Sequence, residues 1–402
     1  MTIDEQVEFL IGDASEIILR EELAAKLELG RPLRIKYGAD PSAPDLHLGH
    51  SVPMSRLRKF QELGHQVIFI IGDFTGRIGD PSGRSKTRPM LTSEEIDANA
   101  TTFAEQAGQI LDMHACEVRY NSELRGLPAS QSRSRLCQRY TVARMLERDD
   151  FAKRLANETA ISVQELLYPL MQAYDSVAIE SDVEVGGTDQ FFNLLVGRDI
   201  MRAYDMQPQV VATWSLLVGT DGVEKMSKSL GNYVGITDEP ADMFGKLMSI
   251  PDDVLPHYFA LLTDRGFDGA EQLDADIQSG EVHPMDAKKE LAGIIVERYH
   301  DADAAVAARA EFENVFSRGN VPSDMPESEV AAADLDDGQI WIVRLVVAAG
   351  FAASNGEARR LVRGGGVKLG DEKVADENAQ VAVADGDILQ VGKRRFARLK
   401  IV

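Results

Sequence analysis

Hydrophobic and polar positions follow two rhythms in the first part of the chain. Residues 33–37, Leu-Arg-Ile-Lys-Tyr, alternate apolar and basic side chains, the period of a strand with one buried face, and Gly38 ends it. Residues 66–71, Gln-Val-Ile-Phe-Ile-Ile, form a continuous apolar run, which predicts a strand buried in a parallel sheet. Between the two runs, 48–63 has a helical pattern, with Pro53 tolerated in its first turn. The second strand leads into a Gly-rich loop, GDFTGRIGDPSGR. A helical stretch over 91–111 follows, with Thr92 or Ser93 as N-cap. Strand, loop, helix, repeated, predicts the α/β class with a doubly wound sheet. Ligands in such sheets sit at the carboxyl ends of strands, where both loops lie.

Farther along, 138–175 and 189–203 read as helical, and 209–219 as one more strand before the polar loop TDGVEKMSKSLGNY. Residues 238–316 are helical again, 317–334 are polar, acidic and Pro-containing like a linker, and a small α/β unit occupies 335–402. No internal repeat or low-complexity tract is visible. A chain of 402 residues is long enough for two or three domains. It contains no run of about 18 apolar residues, so no membrane partner is expected. The acidic start, MTIDEQVEFLIGDASEII, lacks the basic region of a signal peptide. Two cysteines are too few for a disulfide framework or a Cys-rich metal site, and a reducing, cytoplasmic setting is expected. The net charge of −22 argues against nucleic-acid binding by the chain as a whole. Residues 354–402 differ, with ten Lys and Arg against seven Asp and Glu.

Three stretches carry candidate chemistry. His47 and His50, with Gly49 between them, are two of only seven histidines and stand one helical turn apart. At a helix N-terminus, backbone N–H groups and the helix dipole favour an anion, and Gly49 leaves room for a flat ligand. A zinc pair would need a third ligand and more often shows i, i+4 spacing. Lys225-Met226-Ser227-Lys228-Ser229 puts two flexible cations three apart in a loop, which suits a clamp on polyphosphate as well as a solvated surface. Tyr168, Gln172 and Asp175 fall at i, i+4 and i+7 on one helix face. Their neighbours Leu166, Leu167, Leu170 and Met171 imply burial, and a buried carboxylate needs a partner, which a substrate hydroxyl could supply.

The ordered pair His47-x-Gly49-His50 and Lys225-Met-Ser-Lys228-Ser resembles the paired motifs of class I aminoacyl-tRNA synthetases. Tyr168-Pro-Leu-Met-Gln172-Ala-Tyr-Asp175, Gly186-Gly187-Thr188-Asp189-Gln190 and Ile78-Gly79-Asp80-Pro81-Ser82-Gly83 resemble segments of bacterial tyrosyl-tRNA synthetases. The resemblance spans nearly the whole chain. It implies a Rossmann-like parallel-sheet catalytic domain over 1–236, an α-helical anticodon-binding domain over 237–318, a linker over 319–334 and a small α/β RNA-binding domain over 335–402. The implied activity is two-step: ATP activates L-tyrosine to tyrosyl-adenylate and pyrophosphate, and tyrosine passes to tRNA(Tyr).

Roles carry over by position. His47, His50, Lys225 and Lys228 would stabilise the reacting phosphates. Gly38, Asp40, Ser42, Gly49, Arg84, Arg88, Gly187 and Asp189 would join Lys228 in seating ATP. Asp80, Tyr168, Gln172, Asp175 and Gln190 would hold tyrosine, with Asp175 on the phenol. Magnesium would arrive with ATP, without a dedicated protein cage, and a homodimer is implied. In the C-terminal unit, Arg359, Arg360, Arg363 and Lys368 flank a Gly-rich turn, as backbone contact with RNA requires. Two positions depart from the pattern. Lys36 stands where many members have a tyrosine facing the phenol, and Tyr37, one residue later, belongs to the opposite face of a strand. Arg84 replaces a common lysine. The related tryptophanyl enzymes and a non-catalytic RNA-binding derivative are the alternatives. The Asp175 face opposes the first and the intact nucleotide motifs the second.

Overall fold

The computed structural model describes residues 1–41, 44–80, 92–125, 136–314, 326–331, 334–335, 338–370, 372–392 and 395–402. The chain divides into two compact units, Met1–Asp301 and Ala302–Val402.

The first unit is built on a six-stranded sheet: β1 (Glu16–Ile18), β2 (Arg34–Ala39), β3 (Gln66–Ile71), β4 (Glu117–Tyr120), β5 (Val183–Gly187) and β6 (Val210–Trp214). Their spatial order is β1-β6-β5-β2-β3-β4. All pairings are parallel except that of β1, which adds antiparallel to β6. The apolar runs explain the interior of the sheet. Beyond Gln66, every residue of β3 is buried, and so is all of Val210–Trp214, as expected where helices cover both faces. Strand order reverses between β2 and β5. The crevice outside their carboxyl ends is where a ligand site belongs in such a sheet.

Several sequence expectations need adjustment. The alternation in 33–37 predicted one buried face, but β2 is an interior strand of a sheet covered by helices on both faces, and Ile35, Lys36 and Tyr37 are all buried. β5 ends in two glycines and follows a polar turn, so its pattern did not announce the strand that makes β2 an interior strand of the sheet. The run 209–219 leaves the sheet after Trp214, and the helix over 91–111 is Ser93–Ala107, capped by Thr92. Strands β1 and β4, three and four residues long, are too short for an apolar period to reveal them.

Helices Leu48–Glu62, Val163–Ala178 and Phe191–Ala203 pack on the sheet, and Pro240–Met248, Leu255–Leu262, Gly266–Ser279 and Pro284–Tyr299 follow it within the first unit. The Leu255–Leu262 helix is tied to the loop after β6: Tyr258 donates its hydroxyl to Val218 O at 2.7 Å, and His257 Nε2 lies 3.0 Å from Leu216 O. Among the described residues no helix is long and apolar enough to cross a membrane.

In the second unit, among the described residues, a helix, Ala302–Phe312, precedes seven short strands: β7 (Glu327–Val330), β8 (Gln339–Trp341), β9 (Val367–Leu369), β10 (Glu372–Val374), β11 (Gln380–Ala382), β12 (Ile388–Val391) and β13 (Arg395–Ile401). Five of them form a sheet ordered β10-β9-β12-β13-β7. The polar stretch 317–334, expected as linker, thus supplies a strand, because β7 pairs in parallel with β13. Val330, Ile342, Leu345, Val346, Val362, Val367, Leu389 and Leu399 build a core of its own.

One polar junction locks the first unit together. Arg56 donates through Nε (3.0 Å) and Nη2 (2.6 Å) to Asp13 Oδ2 and through Nη1 to Leu261 O at 2.9 Å. Trp214 Nε1 donates to Asp13 Oδ1 at 3.0 Å. Burial alone would raise the Asp13 pKa, but Arg56 and Trp214 more than offset it and hold the carboxyl below its ordinary value. Arg56→Ala strands this carboxylate and should lower stability by about 3 kcal/mol. Urea unfolding followed by tryptophan fluorescence checks this; a loss below about 1 kcal/mol would show the junction to be incidental.

Candidate active site

The loop after β2 meets the Leu48–Glu62 helix at His47, its N-cap. His47 Nδ1 accepts from Gly49 N at 3.2 Å, and His50 Nδ1 accepts from His47 N at 3.2 Å. The i, i+3 spacing is therefore a capping box built from imidazoles, with the rings 3.9 Å apart. Gly49 keeps this approach free of crowding: a Cβ there would lie a tight 3.0 Å from the His47 ring and 3.6 Å from Met226 Cβ. Because both Nδ1 atoms accept from backbone N–H groups, each ring carries its proton on Nε2. Burial first, then the other charged groups nearby, pushes His50 down to about 4 and His47 well below its ordinary value. At neutral pH both are uncharged donors, so positive charge in this corner comes from lysine.

Lys225 and Lys228 supply it. Lys225 Nζ donates to Asp189 Oδ2 at 2.7 Å, and Lys228 Nζ is paired with Asp45 and lies 5.4 Å from the centroid of the Tyr233 ring. Met226 is buried and anchors the loop between them, and Ser227 N donates to Asn232 Oδ1 at 2.8 Å.

A second group lies deeper, below the ends of β2, β3 and β4. Asp40 accepts from Thr75 Oγ1 at 2.6 Å and from the Tyr168 hydroxyl at 2.9 Å. Gly72 must be glycine here, since a Cβ would stand 2.0 Å from Asp40 Oδ1 and 2.4 Å from Thr75 Oγ1. Asn121, just past β4, donates Nδ2 to Thr75 Oγ1 at 2.8 Å and reaches Asp175 Oδ2 at a long 3.5 Å. Asp175 is buried on the Val163–Ala178 helix. Enclosure raises its pKa to about 7, against the opposing pull of Lys36 and the Asn121 contact, and Glu184 and Asp40 add to the rise. Gln190, after β5, donates Nε2 to Asp80 Oδ2 at 2.6 Å and accepts from Asn193 Nδ2 at 3.1 Å.

These groups share one cavity of about 640 Å³. Of the residues singled out from the sequence, Gly38, Asp40, His47, Gly49, His50, Asp80, Tyr168, Gln172, Asp175, Gly187, Asp189, Gln190, Lys225 and Lys228 all line it. Ser42, Arg84 and Arg88 lie outside the described residues. The sequence reading missed Asp45, Thr75, Asn121 and Glu184, which also line the cavity. Thr75 stood inside the quoted Gly-rich loop and was the most accessible of the four. Asn121 and Glu184 belong to strands, or to the end of one, that had no visible period.

In the second unit Arg359, Arg360, Arg363 and Lys368 are all exposed, the first three on the Asn355–Arg363 helix and Lys368 on β9. Arg363 makes a two-pronged pair with Glu377, at 2.5 and 3.0 Å, and Arg359 lies 5.3 Å from the centroid of the Trp341 ring.

Comparison with known proteins gives the family. Residues 28–317 match the family described as "tRNA synthetases class I (W and Y)", and residues 340–387 match the S4 domain. A tyrosine–tRNA ligase of Oleidesulfovibrio alaskensis is 51% identical over 99% of both chains, and that of Aquifex aeolicus is 49% identical over 99% of both. Among solved structures, tyrosyl-tRNA synthetase of Archaeoglobus fulgidus complexed with L-tyrosine is similar at a TM-score of 0.64 and 25% identity, covering 76% of this chain and all of that one. The chain belongs to the class I tRNA synthetases of the tryptophan and tyrosine group, on the side of the tyrosine–tRNA ligases.

Proposed function

We propose that the cavity binds ATP and L-tyrosine side by side, forms tyrosyl-adenylate with release of pyrophosphate, and then esterifies tRNA(Tyr). The observation that carries this reading is the meeting, in one cavity, of the Tyr168–Gln172–Asp175 face with the histidine cap and both lysines of the 225–229 loop. Asp175 accepts the phenolic hydroxyl; Tyr168, Gln172, Asp80 and Gln190 surround the ammonium. Gly38, Asp40, Gly49, Gly187 and Asp189 seat the adenosine, with Ser42, Arg84 and Arg88 completing the ATP site.

The tyrosine carboxylate attacks the α-phosphate in line. A carboxylate is already a nucleophile, so the first step needs no general base, only positioning and stabilisation of charge growing on phosphate. Lys225 and Lys228 bring that charge, and His47 and His50 donate neutral N–H bonds from Nε2. Asp45 and Asp189 neutralise the lysines until a triphosphate, with more charge and more acceptors, takes their place. Among the described residues no group of three or more His, Cys, Asp or Glu is arranged to hold a metal. Magnesium would enter with ATP, where it would shield the triphosphate. The helices within 237–318 read the anticodon end, the 335–402 unit adds RNA backbone contacts, and the enzyme works as a cytoplasmic homodimer.

Lys228→Ala should slow tyrosine-dependent ATP–pyrophosphate exchange by about 10²- to 10³-fold. Exchange at the wild-type rate would remove the lysine from the mechanism. Asp175 also sets a pH dependence. Protonated, it is a poor acceptor for the phenolic hydroxyl, so kcat/KM for tyrosine should rise as pH passes upward through about 7, with Lys36, Glu184, Asp40, Asn121 and Tyr168 as the groups around it. The same shift means that ionising Asp175 weakens the fold as pH climbs from the ordinary carboxylate range to about 7. Asp175→Asn should abolish the rising limb and most of the preference for tyrosine over phenylalanine; an unchanged profile and selectivity would exclude Asp175 as the phenol's partner.

A further inference from the structure

Lys36 on β2 and Glu184 on β5 are register partners on the two strands between which strand order reverses. Their side chains are 0% and 1% exposed, and their charges meet at 2.8 Å. An ion pair this deep is a poor way to join two strands. Desolvating both charges offsets most of their attraction, and apolar side chains of similar size hold such a position as well or better.

The contacts of the pair suggest another role. An ammonium has three N–H donors. Lys36 gives them to Glu184 Oε1, to Ser176 Oγ at 2.8 Å and to the main-chain oxygen of Gln172 at 2.7 Å, leaving none for a ligand. Glu184 accepts from Gln172 Nε2 at 3.3 Å, from Ser176 Oγ at 3.2 Å and from Gln209 Nε2 as well as from Lys36. A carboxylate has about four acceptor positions, so it too is filled. One consequence reaches the cavity. Glu184 can only accept, so the Gln172 amide must turn its NH2 toward it and its oxygen away. That oxygen, Oε1, is buried and has no partner among the described residues, on a residue that lines the cavity.

We propose that the Lys36–Glu184 pair is a positioning element of the amino-acid site. It fixes the Gln172 amide with its oxygen available as an acceptor for the substrate ammonium, and it ties the Gln172–Ser176 turn, which carries Asp175, to the sheet. The inference rests on the proposed function, since it assumes that an amino acid occupies this cavity. A Gln172 amide turned the other way would oppose an NH2 group to a cation. Lys36 is therefore not a substitute phenol ligand, although it stands where many relatives carry one; it acts from behind the pocket.

The test uses the full chain in pyrophosphate exchange, with Glu184→Gln, Lys36→Met and the apolar double variant Lys36→Met/Glu184→Leu. In Glu184→Gln the new side-chain amide can donate to the Gln172 oxygen, which frees the Gln172 amide to turn. KM for tyrosine should rise about tenfold or more in Glu184→Gln, while KM for ATP and kcat stay within about twofold, the pattern of lost ground-state binding. Lys36→Met leaves a buried carboxylate unpaired and should melt earlier. The double variant should recover the melting temperature but keep the raised KM for tyrosine, which a purely structural pair would not do. A tyrosine KM within about twofold of wild type in a folded Glu184→Gln or double variant overturns the inference, as does failure of both to fold. If the wild-type chain shows no tyrosine-dependent exchange, the proposed function itself fails and takes this inference with it.

Discussion

A carboxylate buried beneath a cavity, with little protein to bond it, is the constraint around which the first unit is organised. Asp175 sits on a helix packed over the sheet, with Asn121 as a distant donor and Lys36 and Glu184 behind it. Such a group is costly to leave unsatisfied, and the cost is relieved when a ligand brings a hydroxyl. In the proposed function the same physics would give selectivity. A ligand that filled the cavity without the hydroxyl would leave the carboxylate stranded, so rejection would follow from an unmet bond rather than from a steric wall. The surrounding polar network, with Asp40 receiving Thr75 and Tyr168 and Gln190 receiving Asn193, holds the other pocket groups in fixed orientations.

The corner assigned to the nucleotide in the proposed function is built by a different principle. Its lysines are partly exposed and already engaged by Asp45 and Asp189, so their charge is compensated and their positions are preset. The histidines, buried and neutral, are fixed by capping a helix. The same pair of rings that caps the helix is the pair that, in the proposed function, aims two Nε2–H donors at the phosphates. This accounts for their spacing better than shared phosphate contact alone, because the box requires i and i+3.

How much of this was legible in the sequence depended on whether a residue announced itself by pattern. The apolar run 66–71 and the helix after His47 were visible because their periods are strong. Asp175 was visible because Tyr168 and Gln172 share its helix face. Glu184 was not: it lies on a five-residue strand ending in Gly-Gly, and its importance comes from Lys36, far earlier in the chain, through a sheet pairing that no local pattern encodes. For the same reason Lys36 read as an alternating position on the open face of a strand when it is wholly enclosed. The neutrality of the histidines was also hidden, since burial and two nearby lysines set it.

The most direct test of the account is amino-acid-dependent ATP–pyrophosphate exchange by the full-length chain, with tyrosine, phenylalanine and tryptophan supplied separately. A cavity organised around a buried carboxylate that needs a phenol predicts rapid exchange with tyrosine and near-background exchange with the other two. Comparable exchange with phenylalanine, or exchange with tryptophan in place of tyrosine, would contradict it.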